Sequence, residues 1–321
     1  MILILASEDS SEAQWVSQIL ANRGMSPWWF DTSWFPSRAS LTAQLTSFGW
    51  HGTITTSRSV IDLQAVSAVY YQQSQPFTFP VGLSEPELRF ATIETRFGLG
   101  GLLSSLSARW VSHPSNVADA EYRITQMTAA TAVGLAVPAS ILTNEVTPAK
   151  QFIETQDSGA VYKTIMHKIV SEESLVKLIH TTRVDSCTID RRISLAPHLL
   201  QHNVDKAFDA RIIVTSRGTC LGVAIRTDDS AARQDWTTRY DRLTYEPVKV
   251  PDEVARKCRE FLAALHIEVG VFDFSVDSAG TWWFLEVNPC GAWAWLAEET
   301  GLPVAEAVAD LLTEDNTPCP V

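Results

Sequence analysis

Residues 269–295 read VGVFDFSVDSAGTWWFLEVNPCGAWAW, two apolar runs on either side of a turn. Val269–Val276 carries a single acid, Asp273, and Asp277-Ser278-Ala279-Gly280 has the composition of a tight turn. Thr281–Val287 is the second run; it contains Glu286 and is closed by Asn288-Pro289. A hairpin holds neighbouring strands about 4.8 Å apart, so Asp273 comes to lie beside Glu286 and Asn288 at one end of a sheet. Carboxylates in apolar strands are unfavourable unless a positive group joins them. Hard oxygen donors of this kind suit Mg²⁺, which takes a few carboxylates and shares its other positions with phosphate and water. Spacing alone leaves a second reading equally open, an acid pair at a solvated hairpin edge.

The remaining chain sets the bounds. Its 321 residues allow two or three domains and a sizeable core, and a hydrophobic content of 45% is that of a globular protein. A formal charge of −12 argues against a nonspecific nucleic-acid binder, which needs basic surface; a local basic pocket for phosphates or an acidic peptide is still allowed. The five cysteines, at 187, 220, 258, 290 and 319, are scattered and form no CxxC pair. That pattern fits reduced cytoplasmic thiols better than disulfides or a zinc site. Met1-Ile-Leu-Ile-Leu-Ala lacks a basic n-region and is too short for a signal peptide or a membrane span; it reads as a buried first strand. The expectation is a cytoplasmic protein with neither nucleic acid nor membrane as partner.

In chain order, strand 2–6, helix 12–21 ended by Gly24, and strand 27–31 suggest an α/β unit with a parallel sheet. Ser7-Glu8-Asp9 stands where a Gly-rich dinucleotide loop would be needed, so no such site is expected. Residues 31–60, rich in Ser, Thr and Trp, show little periodicity. Trp28, Trp29, Trp34 and Trp50 read either as core or as an interaction surface. A strand at 66–71, a loop with three prolines at 74–86, a helix over 87–107 and a strand at 109–112 complete the first unit. Helices follow at 118–133, 149–155 and 172–180, with strands at 139–143 and 160–165. Residues 193–204 read as a strand ending in a hinge. Strands at 208–216 and 219–226 flank an Arg217-Gly218 turn, and 230–242 is a polar loop. Residues 251–265 form an amphipathic core helix, 292–299 and 304–312 are helices, and 313–321 is a frayed tail.

The wording around the hairpin is that of a known family. Asp273, then Phe284-Leu285-Glu286-Val287-Asn288-Pro289, resembles the metal-binding signature of the ATP-grasp ligases. The continuation Gly291-Ala292-Trp293-Ala294-Trp295-Leu296-Ala297-Glu298, then Thr300-Gly301-Leu302-Pro303, is similar to the ATP-grasp ribosomal-peptide maturases, the graspetide or microviridin-type macrocycle ligases. The resemblance covers nearly the whole chain, specifically in the C-terminal third and loosely at the N-terminus. It implies an α/β ATP-grasp fold with a pre-ATP-grasp domain over 1–112, a central lid-like domain over 113–190 and a C-terminal ATP-grasp domain over 191–321.

The site residues follow from the same resemblance. Asp273, Glu286 and Asn288 would hold one or two Mg²⁺. Lys163 interrupts an apolar strand and needs an anion, which the family supplies as ATP phosphate; snorkelling from an edge strand is the alternative. Arg123 stands where many members carry a second phosphate-contacting lysine, and Arg would bind phosphate as a fork. Gln201, His202 and Val204 lie in the segment whose backbone would hold adenine; His202 departs from the Gln-Glu of many relatives. Lys206 joins the phosphate cations. Asp209 and Arg211 are two apart and project from one face; they resemble the Asp-x-Arg element whose arginine reaches the terminal phosphate and the reaction centre. Arg226, on the partner strand, is expected on that same face. For both arginines the alternative is an exposed cross-strand charge pattern with Asp209 and Asp228. Asp235-Trp236 resembles a family loop near the active site.

The implied chemistry is carboxylate activation by ATP with release of ADP, in a site that works by positioning and charge neutralisation. Asp or Glu side chains of a ribosomal precursor peptide, made of a leader and a core, would become acyl phosphates. Thr or Ser hydroxyls would then attack to give ω-esters, or Lys amines to give ω-amides. Cys290 is not needed as a nucleophile. Homodimers are common in the family. Two other readings are another ATP-grasp carboxylate–amine ligase, of dipeptide or ribosomal-protein-modifying type, and a non-catalytic ATP-binding protein.

Overall fold

The computed structural model describes residues 1–166, 169–172 and 175–313. Strand β1 (Ile2–Ala6) is apolar and buried at every position, as expected of a central strand in a parallel sheet. Helix α1 (Ser11–Asn22) buries Ala13, Val16 and Leu20, and the Ser10 hydroxyl caps it by accepting from the Ala13 N–H. It leads to β2 (Trp28–Phe30), parallel to β1. The weakly periodic stretch after it folds as a separate antiparallel sheet of β3 (Ala39–Thr46), β4 (Gly49–Thr56) and β5 (Val60–Asp62). These strands carry much Thr, Ser and Gln on exposed positions, which blurs the alternation that marks a strand. Strand β6 (Ala68–Gln72), helix α2 (Glu85–Ser104) and strand β7 (Arg109–Val111) complete a parallel sheet in the order β2-β1-β6-β7. Of the four tryptophans with two readings, Trp34 is buried, Trp28 and Trp29 pack half-buried against this core, and Trp50 is exposed.

The single helix predicted over 118–133 is two, α3 (Pro114–Ala120) and α4 (Arg123–Ala132). The break matters, because Tyr122 has an extended backbone and Arg123 becomes the first residue of α4. Strand β8 (Ser140–Thr143), helix α5 (Val146–Glu154) and strand β9 (Ala160–Lys163) follow. The helix predicted over 172–180 is not formed. Strands β10 (Ile169–Glu172) and β11 (Leu175–Leu178) pair antiparallel there, while residues 173 and 174 lie outside the described residues. Apolar positions at 175, 176, 178 and 179 mimic helical spacing, and pairing with a neighbouring strand overrides local propensity. Strands β12 (Thr182–Val184) and β13 (His198–His202) complete a sheet of order β12-β9-β13-β8. The predicted strand 193–204 thus begins late, because 191–195 form a 3₁₀ turn capped by Asp190.

The C-terminal sheet has the order β16-β15-β14-β17-β18. It comprises β14 (Lys206–Thr215), β15 (Cys220–Arg226), β16 (Thr244–Val248), β17 (Val269–Asp277) and β18 (Trp282–Asn288). The predicted polar loop before β16 contains a short helix, α6 (Ser230–Gln234), capped by Asp229. Helix α7 (Asp252–Ala264) packs Phe261 against Phe272 and Phe284, with ring centroids 5.3 and 5.4 Å apart. Phe272 and Phe274 are fully buried on one face of β17, and strand alternation therefore turns Asp273 and Ser275 to the other. Helices α8 (Ala294–Thr300) and α9 (Val304–Thr313) follow. Val304, Val308 and Leu311 join the core that contains Ile4, Val16 and Leu20, so α9 packs back onto α1. The predicted tail beyond Thr313 lies outside the described residues. Among them, no helix is long and apolar enough to cross a membrane.

Candidate active site

Three strands set one rung of charged side chains. Arg211 on β14 is in register with Asp273 on β17, and Asp273 with Glu286 on β18. Arg211 donates from Nε to Asp273 Oδ1 at 2.8 Å and from Nη2 to Oδ2 at 2.9 Å. Its Nη1 donates to the Ala292 carbonyl at 3.2 Å. Burial alone would lower the pKa of this guanidinium, and the charge and hydrogen bonds of Asp273 more than offset it, so Arg211 stays charged. The guanidinium carbon lies 4.9 Å from the centre of the Trp236 ring. Glu286 accepts from Arg123 at the head of α4, and Asn288 Nδ2 donates to Asp273 Oδ2 at 3.4 Å.

A second rung lies two residues along. Asp209 is in register with Ser275, whose hydroxyl donates to Asp209 Oδ1 at 2.9 Å. Lys206 Nζ donates to Asp209 Oδ2 at 2.6 Å. Burial raises the Asp209 pKa, against the lowering by Lys206 and Ser275.

These rungs form the floor of a cleft of about 910 Å³. Lys163, at the end of β9, stands on its wall. Its pKa falls to about 8 because burial and the nearby Arg123 disfavour the charged ammonium. Gln201, His202 and Val204 line another wall. Gln201 is buried and donates to the Ser140 hydroxyl at 3.0 Å, and the His202 N–H donates to the Ala139 carbonyl at 2.8 Å. The cleft therefore gathers Arg123, Lys163, Gln201, His202, Val204, Lys206, Asp209, Arg211, Asp273, Glu286 and Asn288.

Arg226 is not among them. Ile225 is in register with Asp209, which leaves Arg226 one residue out of step and on the opposite face. Its guanidinium carbon lies 4.4 Å from the centre of the Phe208 ring, and its Nε 3.6 Å from Glu246. The expectation that Arg226 shares the Arg211 face is corrected. Trp236 does reach Arg211, and Asp235 lines the cleft, as the 235–236 loop implied. Arg183, Arg233 and Tyr240 also line it and escaped the sequence reading, since each lies in a polar stretch with no periodic signal. Cys290 is at the rim, and burial pushes its thiol up to about 12, so it is protonated at neutral pH.

The carboxylates of Asp273 and Glu286 and the side-chain amide of Asn288 lie together in the cleft, with Asn288 Nδ2 turned toward Asp273. No group of three or more His, Cys, Asp or Glu that could hold a metal is found among the described residues. A site with so few protein oxygens suits an ion that fills its shell with phosphate and water, as Mg²⁺ does, and suits zinc or calcium poorly. The surrounding cations, Arg123, Lys163, Lys206 and Arg211, suit a polyphosphate.

Residues 1–118 match the family described as the MvdD pre-ATP grasp domain. Among solved structures, the chain is similar to a Chryseobacterium gregarium RiPP-associated ATP-grasp ligase in complex with ADP and a leader and core peptide. The TM-score is 0.89 at 23% identity, over 97% of this chain and 96% of that one. It is also similar to the macrocyclase MdnC of Microcystis aeruginosa bound with precursor peptide MdnA, with TM-score 0.85 and 22% identity over 97% and 98%. D-alanyl-alanine synthetase A of Vibrio cholerae matches over 97% of both chains at TM-score 0.57 and 11% identity. Comparison with curated proteins gives no match. The chain has the ATP-grasp fold. That fold includes, over residues 1–118, a pre-ATP-grasp domain of the MvdD type.

Proposed function

We propose that this protein is an ATP-dependent peptide macrocyclase. It converts Asp or Glu side chains of a ribosomal precursor peptide into acyl phosphates, releases ADP, and joins them to Thr or Ser hydroxyls as ω-esters or to Lys amines as ω-amides. The observation that carries the reading is the rung Arg211–Asp273–Glu286, a cation beside two metal-type carboxylates on the floor of a cleft large enough for a nucleotide and part of a peptide. The higher structural similarity to peptide-bound maturases than to a dipeptide ligase supports a peptide substrate.

In this reading Lys163, Lys206 and Arg123 hold phosphate oxygens, and the Gln201–Val204 segment holds adenine. Asp273, Glu286 and Asn288 hold Mg²⁺, which when bound neutralises phosphate charge that would otherwise repel the substrate carboxylate. Arg211 binds the oxygens that gain charge at the reacting centre, the departing phosphate and the tetrahedral oxyanion. Asp209 keeps the Lys206 ammonium turned toward the cleft. Arg226, on the opposite face, has no role in the chemistry.

The proposal includes a homodimer and a cytoplasmic location. Phe90, Ile93 and Phe97 lie exposed along one stripe of α2, which supports self-association. The described cysteines are free, which suits a reducing compartment.

The test is intact mass of a candidate precursor, a short acidic chain with Thr, Ser or Lys encoded beside this gene, after incubation with the protein, ATP and Mg²⁺. Loss of about 18 Da per ring, one water per bond formed, is expected, with hydroxide-labile links for esters. ATP binding with no mass change in any such peptide would overturn it.

A further inference from the structure

The segment 290–295 touches the reaction centre on one side and the N-terminal domain on the other. Ala292 offers its carbonyl to Arg211 Nη1 at 3.2 Å. Trp295 lies 6.1 Å from Trp236, the ring on which the Arg211 guanidinium rests. The segment therefore supports Arg211 twice, once by a hydrogen bond and once through the tilted pair of indoles.

Its position comes from far away in the chain. Glu12 on α1 accepts at Oε1 from the N–H groups of both Trp293 and Ala294, each at 3.1 Å. These bonds are charge-assisted and span 281 and 282 residues. The Trp293 ring is buried at 1% exposure and meets Trp15 of α1 edge-on at 6.5 Å. Gln72, at the end of β6, donates from Nε2 to the Cys290 carbonyl at 3.1 Å, and its own Oε1 accepts from Tyr70 at 3.2 Å. Gly291 closes the clamp from below, because a Cβ there would lie 2.7 Å from Val271 Cβ on β17.

From this we infer that Glu12 is a positioning residue for Arg211, and that the N-terminal domain contributes to the reaction by holding the Ala292 carbonyl and Trp295 in place. The inference rests on the role of Arg211 proposed above. Glu12 does not reach the cleft floor. It acts by fixing two amides one and two residues beyond the carbonyl that Arg211 uses. An acceptor at the position of Oε1 is the requirement, so Glu12→Gln keeps the clamp, whereas Glu12→Ala removes it and Glu12→Asp shortens it.

The experiment uses the full-length protein and two readouts. The first is hydrogen exchange of the Arg211 Nε–H, followed by NMR and assigned by its loss in Arg211→Lys. Exchange at least tenfold faster in Glu12→Ala and Glu12→Asp, and within twofold of wild type in Glu12→Gln, is expected. This readout needs no turnover, so it stands if the macrocyclase reading fails. The second is ADP release with a precursor peptide that the wild type cyclises, measured in a double-mutant cycle. Glu12→Ala should lower kcat about tenfold with KM for ATP within twofold, and less than twofold further in an Arg211→Ala background. A residue that merely stabilised the fold would lower both backgrounds alike. Unchanged Nε–H exchange in folded Glu12→Ala, or equal losses in the two backgrounds, would overturn the inference.

Discussion

Arg211 and Asp273 face each other across β14 and β17 and are joined at two points, Nε to Oδ1 at 2.8 Å and Nη2 to Oδ2 at 2.9 Å. The fork leaves Nη1 for the Ala292 carbonyl and one face of the guanidinium on Trp236. A cation fixed on so many sides is oriented before substrate arrives, which is what stabilisation of developing charge needs. Asp273 thereby serves two neighbours, the arginine and the proposed metal.

Arg211→Lys retains the charge and loses the fork. Its kcat is expected to fall at least tenfold while KM for ATP stays within about threefold, read by ADP release with a cyclised peptide. Arg211→Ala leaves Asp273 nearly buried without its partner and should also destabilise the fold by about 3 kcal/mol, measured by urea unfolding. A variant in which only ATP affinity changed would make Arg211 a nucleotide-binding residue.

Glu286 carries an analogous pair with Arg123, whose side chains are 16% and 11% exposed. The Arg123 Nε is buried without a hydrogen-bond partner, so the guanidinium depends on its other nitrogens. Glu286→Gln removes one of two anionic donors from the proposed metal site and the charge opposite Arg123. The Mg²⁺ concentration for half-maximal ADP binding, measured by calorimetry, should rise at least tenfold, with a Tm lower by a few degrees. An unchanged Mg²⁺ dependence would remove Glu286 from the metal site.

Much of this site was legible because it is written in local pattern. The hairpin 269–288 is marked by its turn and its apolar runs, which bring Asp273 near Glu286 and Asn288. The exact pairing with Glu286 depends on a bulge between Asp273 and Phe274, since counting from the turn alone sets Leu285 opposite Asp273. Lys163, Asp209 and Arg211 stand out as charges in apolar strands. Arg226 misled because one residue of register turns a side chain to the other face, and the 208–226 hairpin has no buried stripe strict enough to fix that offset from sequence. Strands β3 to β5 were hidden by Thr and Ser on exposed positions, and β10 and β11 by apolar spacing that mimics a helix. The Glu12 clamp could not be read at all. A carboxylate on an amphipathic first helix looks like a solvated charge until the fold carries residue 293 to it.

Lys163 gives the site a pH dependence. Burial first, and the charge of Arg123 second, bring its pKa from 10.5 to about 8 in the folded protein. The unfolded chain therefore holds a proton that the folded chain has released between those values, and this group's contribution to stability rises with pH through the window from about 8 to 10.5. Nucleotide phosphate prefers the protonated ammonium. A site that binds only with Lys163 charged loses affinity above pH 8, and the ATP dissociation constant should rise about tenfold between pH 7 and pH 9, by calorimetry in buffers of matched ionic strength. Lys163→Met should bind more weakly at pH 7 and lose this slope. An equal slope in the variant would place the titrating group elsewhere.

Arg226 provides the contrast to Arg211 on the same hairpin. Its side chain is 45% exposed, rests on Phe208 and meets Glu246, itself 66% exposed, at 3.6 Å. An exposed pair of this kind contributes about 1 kcal/mol or less. Arg226→Ala should keep kcat and both KM values within twofold of wild type, with a small loss of stability, when assayed beside Arg211→Ala. The two arginines leave opposite faces of the sheet from neighbouring strands, so the pair of variants tests the register. A loss of turnover in Arg226→Ala as deep as in Arg211→Ala would mean that β15 meets β14 one residue out of the register described.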